Sequence, residues 1–210
     1  MRSQNRAEAA QARGFFEREI SPYTLPDGTV VSTDDCIRPG TTYEKVSQLS
    51  PVFRPDGTVT AGNACPLNDG AAAVVVMSDT RAAELGIKPL ARIISSGVSA
   101  LSPEIMGLGP IQAIRQALGR AGMTPDDIDL FEINEAFAAQ VLACQCEMGF
   151  DPAKLNVNGG AIALGHPLGA TGGMLIGTAL DELERRDATT ALGTMCIGGG
   201  MGIATVIDRV

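Results

Sequence analysis

Tryptophan is absent from the 210 residues, tyrosine occurs twice and histidine once. So few amphipathic aromatics argue against an aromatic-rich interface. Basic residues are also scarce, 16 against 24 acidic ones, for a formal net charge of −8. An acidic surface of this kind repels phosphate backbones, so nucleic acid is excluded as a partner. No uninterrupted apolar run approaches the roughly 18 residues a membrane span needs, and no apolar signal segment precedes Arg2. No Walker loop, no strand-linked GxGxxG and no HExxH is present. The five cysteines are odd in number and irregularly spaced, with no CxxC pair. They read as free cytoplasmic thiols rather than a disulfide framework or a metal site.

What the chain has in abundance is glycine, 25 residues. Glycines concentrate where backbone must turn tightly or approach a ligand. The opening stretch from Ser3 to Arg13 is rich in helix formers and stops at Gly14. Little precedes it that could bury its alanine face, as if the helix belonged to a longer chain. Residues 22–62 carry three turn signals (Pro26-Asp27-Gly28, Arg38-Pro39-Gly40, Pro55-Asp56-Gly57) and read as a long loop region. Ala71 to Met77 (AAAVVVM) fits a strand buried on both faces. Ser78 caps a helix closed by Gly86 and Pro89.

Leu90 to Val98 reads as a strand. Gly109-Pro110 then opens an amphipathic helix with Ile111, Ile114 and Leu118 on one stripe and Gly122 as its stop. Asp129 to Ile133 is a strand, Glu135 to Met148 a helix, and a helix runs from about Gly169 to Arg186. Two strands near Thr190–Ile197 and Gly202–Ile207 make an antiparallel hairpin. The alternation predicts a layered α/β fold with a mixed sheet, divided near residues 87–91.

Three stretches place polar or reactive side chains at element ends. Asn134 stands at a strand-to-helix junction, where its amide caps a helix or holds a water. His166, the single histidine, lies in the glycine-dense loop NGGAIALGHPLGATGG (158–173), ahead of a helix mouth suited to anions. Imidazole is the side chain best matched to proton transfer near neutral pH. Cys196 begins CIGGGMG (196–202), where a thiol at a strand end meets a turn whose free amides can hold an oxyanion. Cys36, Cys65, Cys144 and Cys146 read as structural.

NEAFA at 134–138, NGGAIALGHPLGATGG at 158–173, CIGGGMG at 196–202 and GNACPLNDGAAAVVVMS at 62–78 resemble, in order and spacing, the signatures of the thiolase family. The resemblance implies acyl transfer: thiolytic cleavage of 3-oxoacyl-CoA, or the reverse Claisen condensation of two acyl-CoA molecules. It implies CoA and acyl-CoA as substrates, with no further cofactor and no metal. The implied fold is the thiolase-like layered α/β architecture with a mixed five-stranded sheet. Residues 1–88 correspond to the end of the first half with part of its loop domain, and 89–210 to the complete second half.

On this resemblance, His166 activates a nucleophilic cysteine and helps bind the thioester oxygen, and Cys196 is the acid/base thiol. Asn134 positions an oxyanion-hole water, and the Gly198 amide donates to a second oxyanion hole. Ser95, Ala136 and Phe137 contact the pantetheine arm or acyl group. Asn134, His166 and Cys196 are expected to converge on one cleft with the Gly198 N–H. The family's nucleophile lies in a C-G-S-G-like stretch that this sequence does not contain. The expected partner is therefore the missing N-terminal half, as in a truncated or split thiolase, or another copy of the chain. The contrasting reading is a non-catalytic acyl-CoA-binding module.

Overall fold

The computed structural model describes residues 1–210. The chain begins with α1 (Arg2–Ala12), a short hairpin of β1 (Tyr23–Thr24) and β2 (Val30–Val31), α2 (Tyr43–Val46) and α3 (Asp79–Glu84). There follow β3 (Ala91–Ala100), α4 (Gly109–Ala121), β4 (Leu130–Ile133), α5 (Ala138–Met148), α6 (Ala161–Leu164), α7 (Thr171–Arg186), β5 (Thr190–Ile197) and β6 (Met201–Arg209). No helix is long and apolar enough to cross a membrane.

The last four strands form one mixed sheet in the order β3-β6-β5-β4. β4 and β5 are parallel, and β5, β6 and β3 are successively antiparallel. Three layers result. One face of the sheet packs on α4 and α5 through Ile111, Ile114, Leu118 and Val141, against Phe131, Ile133, Leu192 and Val206. The other face packs on α7 through Ala179 and Leu183, against Leu130, Ala191 and Ile207. The alternation of Phe131 and Ile133 to one side and Leu130 to the other is the period-2 signature of a strand buried on both faces. α4 lies flush on the sheet because Gly202 and Gly109 meet backbone to backbone, and a Cβ on either would collide with the other strand or helix. Gly122 closes α4 in the left-handed conformation at φ 66°.

Three sequence expectations are corrected. The sheet has four strands, not five. The place beside β4 is taken by a single parallel bridge, Phe131 to Leu155, made by Phe131 N–H to the Lys154 carbonyl and Asn156 N–H to the Phe131 carbonyl, 2.9 Å each. Asn156 then turns to φ 45°, which ends extended backbone. Its side-chain amide continues the ladder instead, Oδ1 accepting from Ile133 N–H (2.8 Å) and Nδ2 donating to the Ile133 carbonyl (2.9 Å).

Residues 71–77 form no strand, and Val74, Val75 and Val76 are 53, 85 and 68% exposed. An apolar run becomes a central strand only with neighbours on both sides, and no strand of these 210 residues pairs with it. The alanine face of α1 does have a partner: Ala7 and Ala10 are fully buried with Ala163 of α6. Ser3 and Gln4 bond the backbone of Gly160 and Ile162.

Two carboxyls on the α7 side each keep a buried oxygen without a hydrogen-bond partner. Glu132 on β4 is 2% exposed and its Oε1 has no partner, as is true of Glu19 Oε1. Burial pushes the Glu19 carboxyl up to about 7, against the hydrogen bond its Oε2 accepts from Thr178, with Asp181 and Asp34 raising it further. Glu132 is pushed well above the carboxylate range, chiefly by burial and then by Glu135. A folded-state value above the unfolded one stabilises at low pH, and that contribution is lost as pH rises through about 7. Glu19→Gln is therefore expected to stabilise by about 2 kcal/mol at pH 8 and by little at pH 5. Thermal unfolding at both pH values checks this, and an equal effect at both contradicts it.

Candidate active site

The carboxyl ends of β4 and β5 create the site. The two strands pair Ile133 with Thr194, and Asn134 N–H donates to the Thr194 carbonyl at 2.9 Å. Asn134 therefore stands one residue beyond β4, beside the end of β5 that carries Cys196. It does not cap a helix: α5 begins only at Ala138, with Phe137 as its N-cap. Asn134 is 1% exposed, yet neither its Oδ1 nor its Nδ2 has a partner within the chain. A buried amide with both ends unmet is expensive unless a ligand or water meets them.

Cys196 is buried near the end of β5, paired with Gly202 of β6. Strand alternation sends Leu192, Thr194 and Cys196 to the α5 side and Gly193 and Met195 to α7. Burial pushes the Cys196 thiol up, and the neighbouring Cys65 adds to the rise. Burial likewise pushes Cys144 of α5 up to about 11, with a smaller contribution from Cys196. Gly198 lies in the turn that follows, exposed at the same sheet edge.

α7 delivers His166 to this edge. The helix runs antiparallel to β5: a Cβ on Gly172 would lie 3.1 Å from Met195 Cε, one on Gly193 would lie 3.2 Å from Ile176 Cδ1, and Leu183 packs at Ala191. The start of α7, and His166 five residues before it, thus lie at the Cys196 end of β5. The segment 63–68 ties the residues together. Ala138 N–H donates to the Asn63 carbonyl and Cys65 N–H to the Ala136 carbonyl (3.1 Å), next to Cys196. Three residues later Asn68 Oδ1 accepts from the His166 backbone N–H at 2.8 Å. Three residues span at most about 10 Å, so the bond from Asn68 keeps the His166 backbone near Cys65.

The glycine loop is anchored from beneath by carboxylates. Glu135 accepts from Asn156 Nδ2 and Ile162 N–H, both at 3.2 Å. Glu182 accepts from Asn158 Nδ2 and from Arg185 and Arg186. Burial alone would raise Glu182, but those hydrogen bonds outweigh it and hold the carboxyl at about 2. Gly165, at φ 92°, has no room for a side chain, since a Cβ would come within 2.5 Å of the Asn68 amide. Burial lowers the His166 imidazole, which keeps it neutral and able to accept a proton at neutral pH. Its Nδ1 lies 2.7 Å from Thr171 Oγ1.

Ala136 and Phe137 line the same edge; Phe137 is half-buried, with its ring edge-on to Phe53 at 6.3 Å. Ser95 does not join them. It pairs with Val206, which pairs in turn with Leu192, four residues down from Cys196. Its hydroxyl donates to the Ala117 carbonyl of α4 at 2.7 Å. Asn68, Thr171 and a cavity of about 430 Å³ lined by Arg38, Lys45, Gly62 and Ile162 are absent from the sequence reading, which takes Cys65 as structural. Gly62 and Ile162 are three residues from Cys65 and four from His166 in sequence.

Two family descriptions match the chain: "Thiolase, C-terminal domain" over residues 87–209 and "Thiolase, N-terminal domain" over residues 1–80. An acetyl-CoA acetyltransferase of Cupriavidus necator is 54% identical over 211 residues, covering 99% of this chain. One from Paracoccus denitrificans is 54% identical over 210 residues, again covering 99%. In both cases the chain spans 54% of the relative's length. Among solved structures, the acetyl-CoA acetyltransferase of Bacillus anthracis superposes with a TM-score of 0.96 at 44% identity, over 100% of this chain and 54% of that one. Human mitochondrial 3-ketoacyl-CoA thiolase in complex with CoA gives 0.92 at 45%, over 99% of this chain and 52% of that one.

Proposed function

This chain belongs to the thiolase family, and on that footing we propose that it carries the proton-transfer half of a thiolase active site, with the nucleophilic cysteine supplied from outside these 210 residues. The observation that carries the proposal is Asn134, a fully buried amide with no partner, set beside Cys196 at the edge where His166 stands. The thiols support the division of labour. An attacking cysteine needs a lowered pKa, whereas Cys36, Cys65, Cys144 and Cys196 are all raised, each chiefly by burial. Cys146 is exposed on α5 with Glu147 as its sequence neighbour.

In cleavage, neutral His166 takes the proton of the incoming cysteine thiol, and the resulting thiolate attacks the 3-oxo carbon of the acyl-CoA. The bond to the α-carbon breaks, and Cys196 gives its proton to the departing carbanion. A thiol held up by burial remains protonated at neutral pH, which suits a proton donor. The CoA thiol then takes the acyl group from the nucleophile. In condensation the steps reverse, and Cys196 removes the α-proton. The Asn134 amide, directly or through a water, and the Gly198 N–H stabilise the oxygen on which charge develops. Ala136 and Phe137 line the acyl group's approach, and the cations Arg38 and Lys45 suit the phosphates of CoA.

Replacing Cys196 with Ser in the assembled enzyme is expected to slow condensation at least a hundredfold while the nucleophile is still acylated, because a hydroxyl is a far poorer base than a thiol. Intact-mass detection of the acyl-enzyme beside a condensation assay separates the two steps. Condensation at the wild-type rate would remove Cys196 from the mechanism.

A further inference from the structure

The His166 ring has one protein partner, and that partner has only one proton to give. Thr171 Oγ1 lies 2.7 Å from His166 Nδ1 and 3.0 Å from the Pro167 carbonyl oxygen. A carbonyl can only accept, so the bond to Pro167 uses the hydroxyl's proton, and Oγ1 is left as an acceptor towards the ring. An acceptor facing Nδ1 requires a proton on Nδ1. In this arrangement both bonds are made as a chain, imidazole N–H to hydroxyl to carbonyl. With the proton on Nε2 instead, the hydroxyl gives its proton to the ring or to Pro167 but not to both, and one bond fewer is made, although the Pro167 carbonyl still accepts from the Ala170 and Thr171 N–H groups at 3.0 and 3.2 Å. The chain of two bonds is the better-satisfied state for a hydroxyl that is only 4% exposed.

We infer that Thr171 is a positioning residue that fixes His166 as the Nδ1–H tautomer and leaves Nε2 as its basic atom. Three features make this hold rigid. Thr171 is the first residue of α7, so its backbone is set by the helix. Pro167, which receives the hydroxyl proton, immediately follows His166, so the bond also closes the loop on itself. Asn68, from the segment matched by the N-terminal family description, pins the His166 backbone N–H. Ring and backbone are thus anchored separately, and Nε2 makes no hydrogen bond within the chain.

That Nε2 serves catalysis rests on the thiolase reading above; the tautomer itself does not, and the two can be tested apart. His166 is the only histidine, so the 210-residue chain labelled with ¹⁵N-histidine gives a single imidazole in long-range ¹H–¹⁵N spectra. At a pH where the ring is neutral, the expected pattern is a protonated Nδ1 and an unprotonated Nε2. Thr171→Val keeps the shape but removes the acceptor, and is expected to shift the population towards Nε2–H. Thr171→Ser is expected to restore the wild-type pattern. A wild-type ring protonated on Nε2, or a Val variant with an unchanged pattern, overturns the inference. The wild-type spectrum decides the matter even if the Val variant does not fold.

In the assembled enzyme, the Val variant is expected to acylate the nucleophile about tenfold more slowly with KM unchanged, the loss expected of one hydrogen bond. Normal acylation alongside a switched tautomer would count against the catalytic reading of His166 and leave the tautomer assignment standing.

Discussion

Purified residues 1–210 alone are expected to show no thiolysis or condensation attributable to an acyl-enzyme, and adding a polypeptide that bears the remaining part of a full-length thiolase is expected to raise turnover by several orders of magnitude. The reason lies in the thiols. Acylation needs a thiolate at neutral pH, and burial drives the cleft thiols Cys65 and Cys196 the other way. Removing one member of a cooperating nucleophile–base set removes nearly all the advantage of the set, so a site with the base and no nucleophile is close to inert. The same mixture should gain stability. Val74, Val75 and Val76 are exposed, and β3 is a ten-residue edge strand with Ile93 and Val98 also exposed. Such surfaces invite aggregation until covered. Amide exchange over residues 71–77 is expected to slow on complementation. Robust cysteine-dependent turnover by 1–210 alone contradicts the prediction.

His166→Ala in the assembled enzyme is expected to slow acylation by about 10³-fold. The chain offers no second imidazole to take over. The ring is kept neutral by burial and is held by Asn68 and Thr171, so both its protonation state and its placement serve proton acceptance. Stopped mixing with an acyl-CoA, followed by quenching and mass measurement, isolates this step from condensation. An acylation rate within threefold of wild type would show that the thiol loses its proton elsewhere.

Much of the fold was legible because its signals are local. The Gly109-Pro110 start, the stripe Ile111, Ile114 and Leu118 and the Gly122 stop locate α4 within a residue, and the hairpin of β5 and β6 follows from two strand-forming runs around three glycines. Apart from the start of α5, placed three residues early at Glu135, the failures are non-local. AAAVVVM has the composition of a buried strand, and composition does not say whether neighbours are at hand. The missing fifth strand is replaced by the side chain of Asn156, which reaches Ile133 across 23 residues of sequence. The site divides in the same way. Asn134 and Cys196 each stand at the end of a recognisable strand, and His166 is the single histidine of a glycine-dense loop, so their candidacy needs no knowledge of the fold. Asn68 reaches His166 from 98 residues away, and no pattern around either announces the bond. Ser95 illustrates the converse: a serine on a strand gives no local sign that its hydroxyl is spent on the Ala117 carbonyl of α4.

The division of labour between this chain and the source of the nucleophile is tested most directly by locating the acyl group. The complemented enzyme is mixed with acetyl-CoA, quenched, and each polypeptide weighed intact. The account predicts one acetyl group on a cysteine of the added polypeptide and none on residues 1–210. An acetyl group on Cys36, Cys65, Cys144, Cys146 or Cys196 would contradict it.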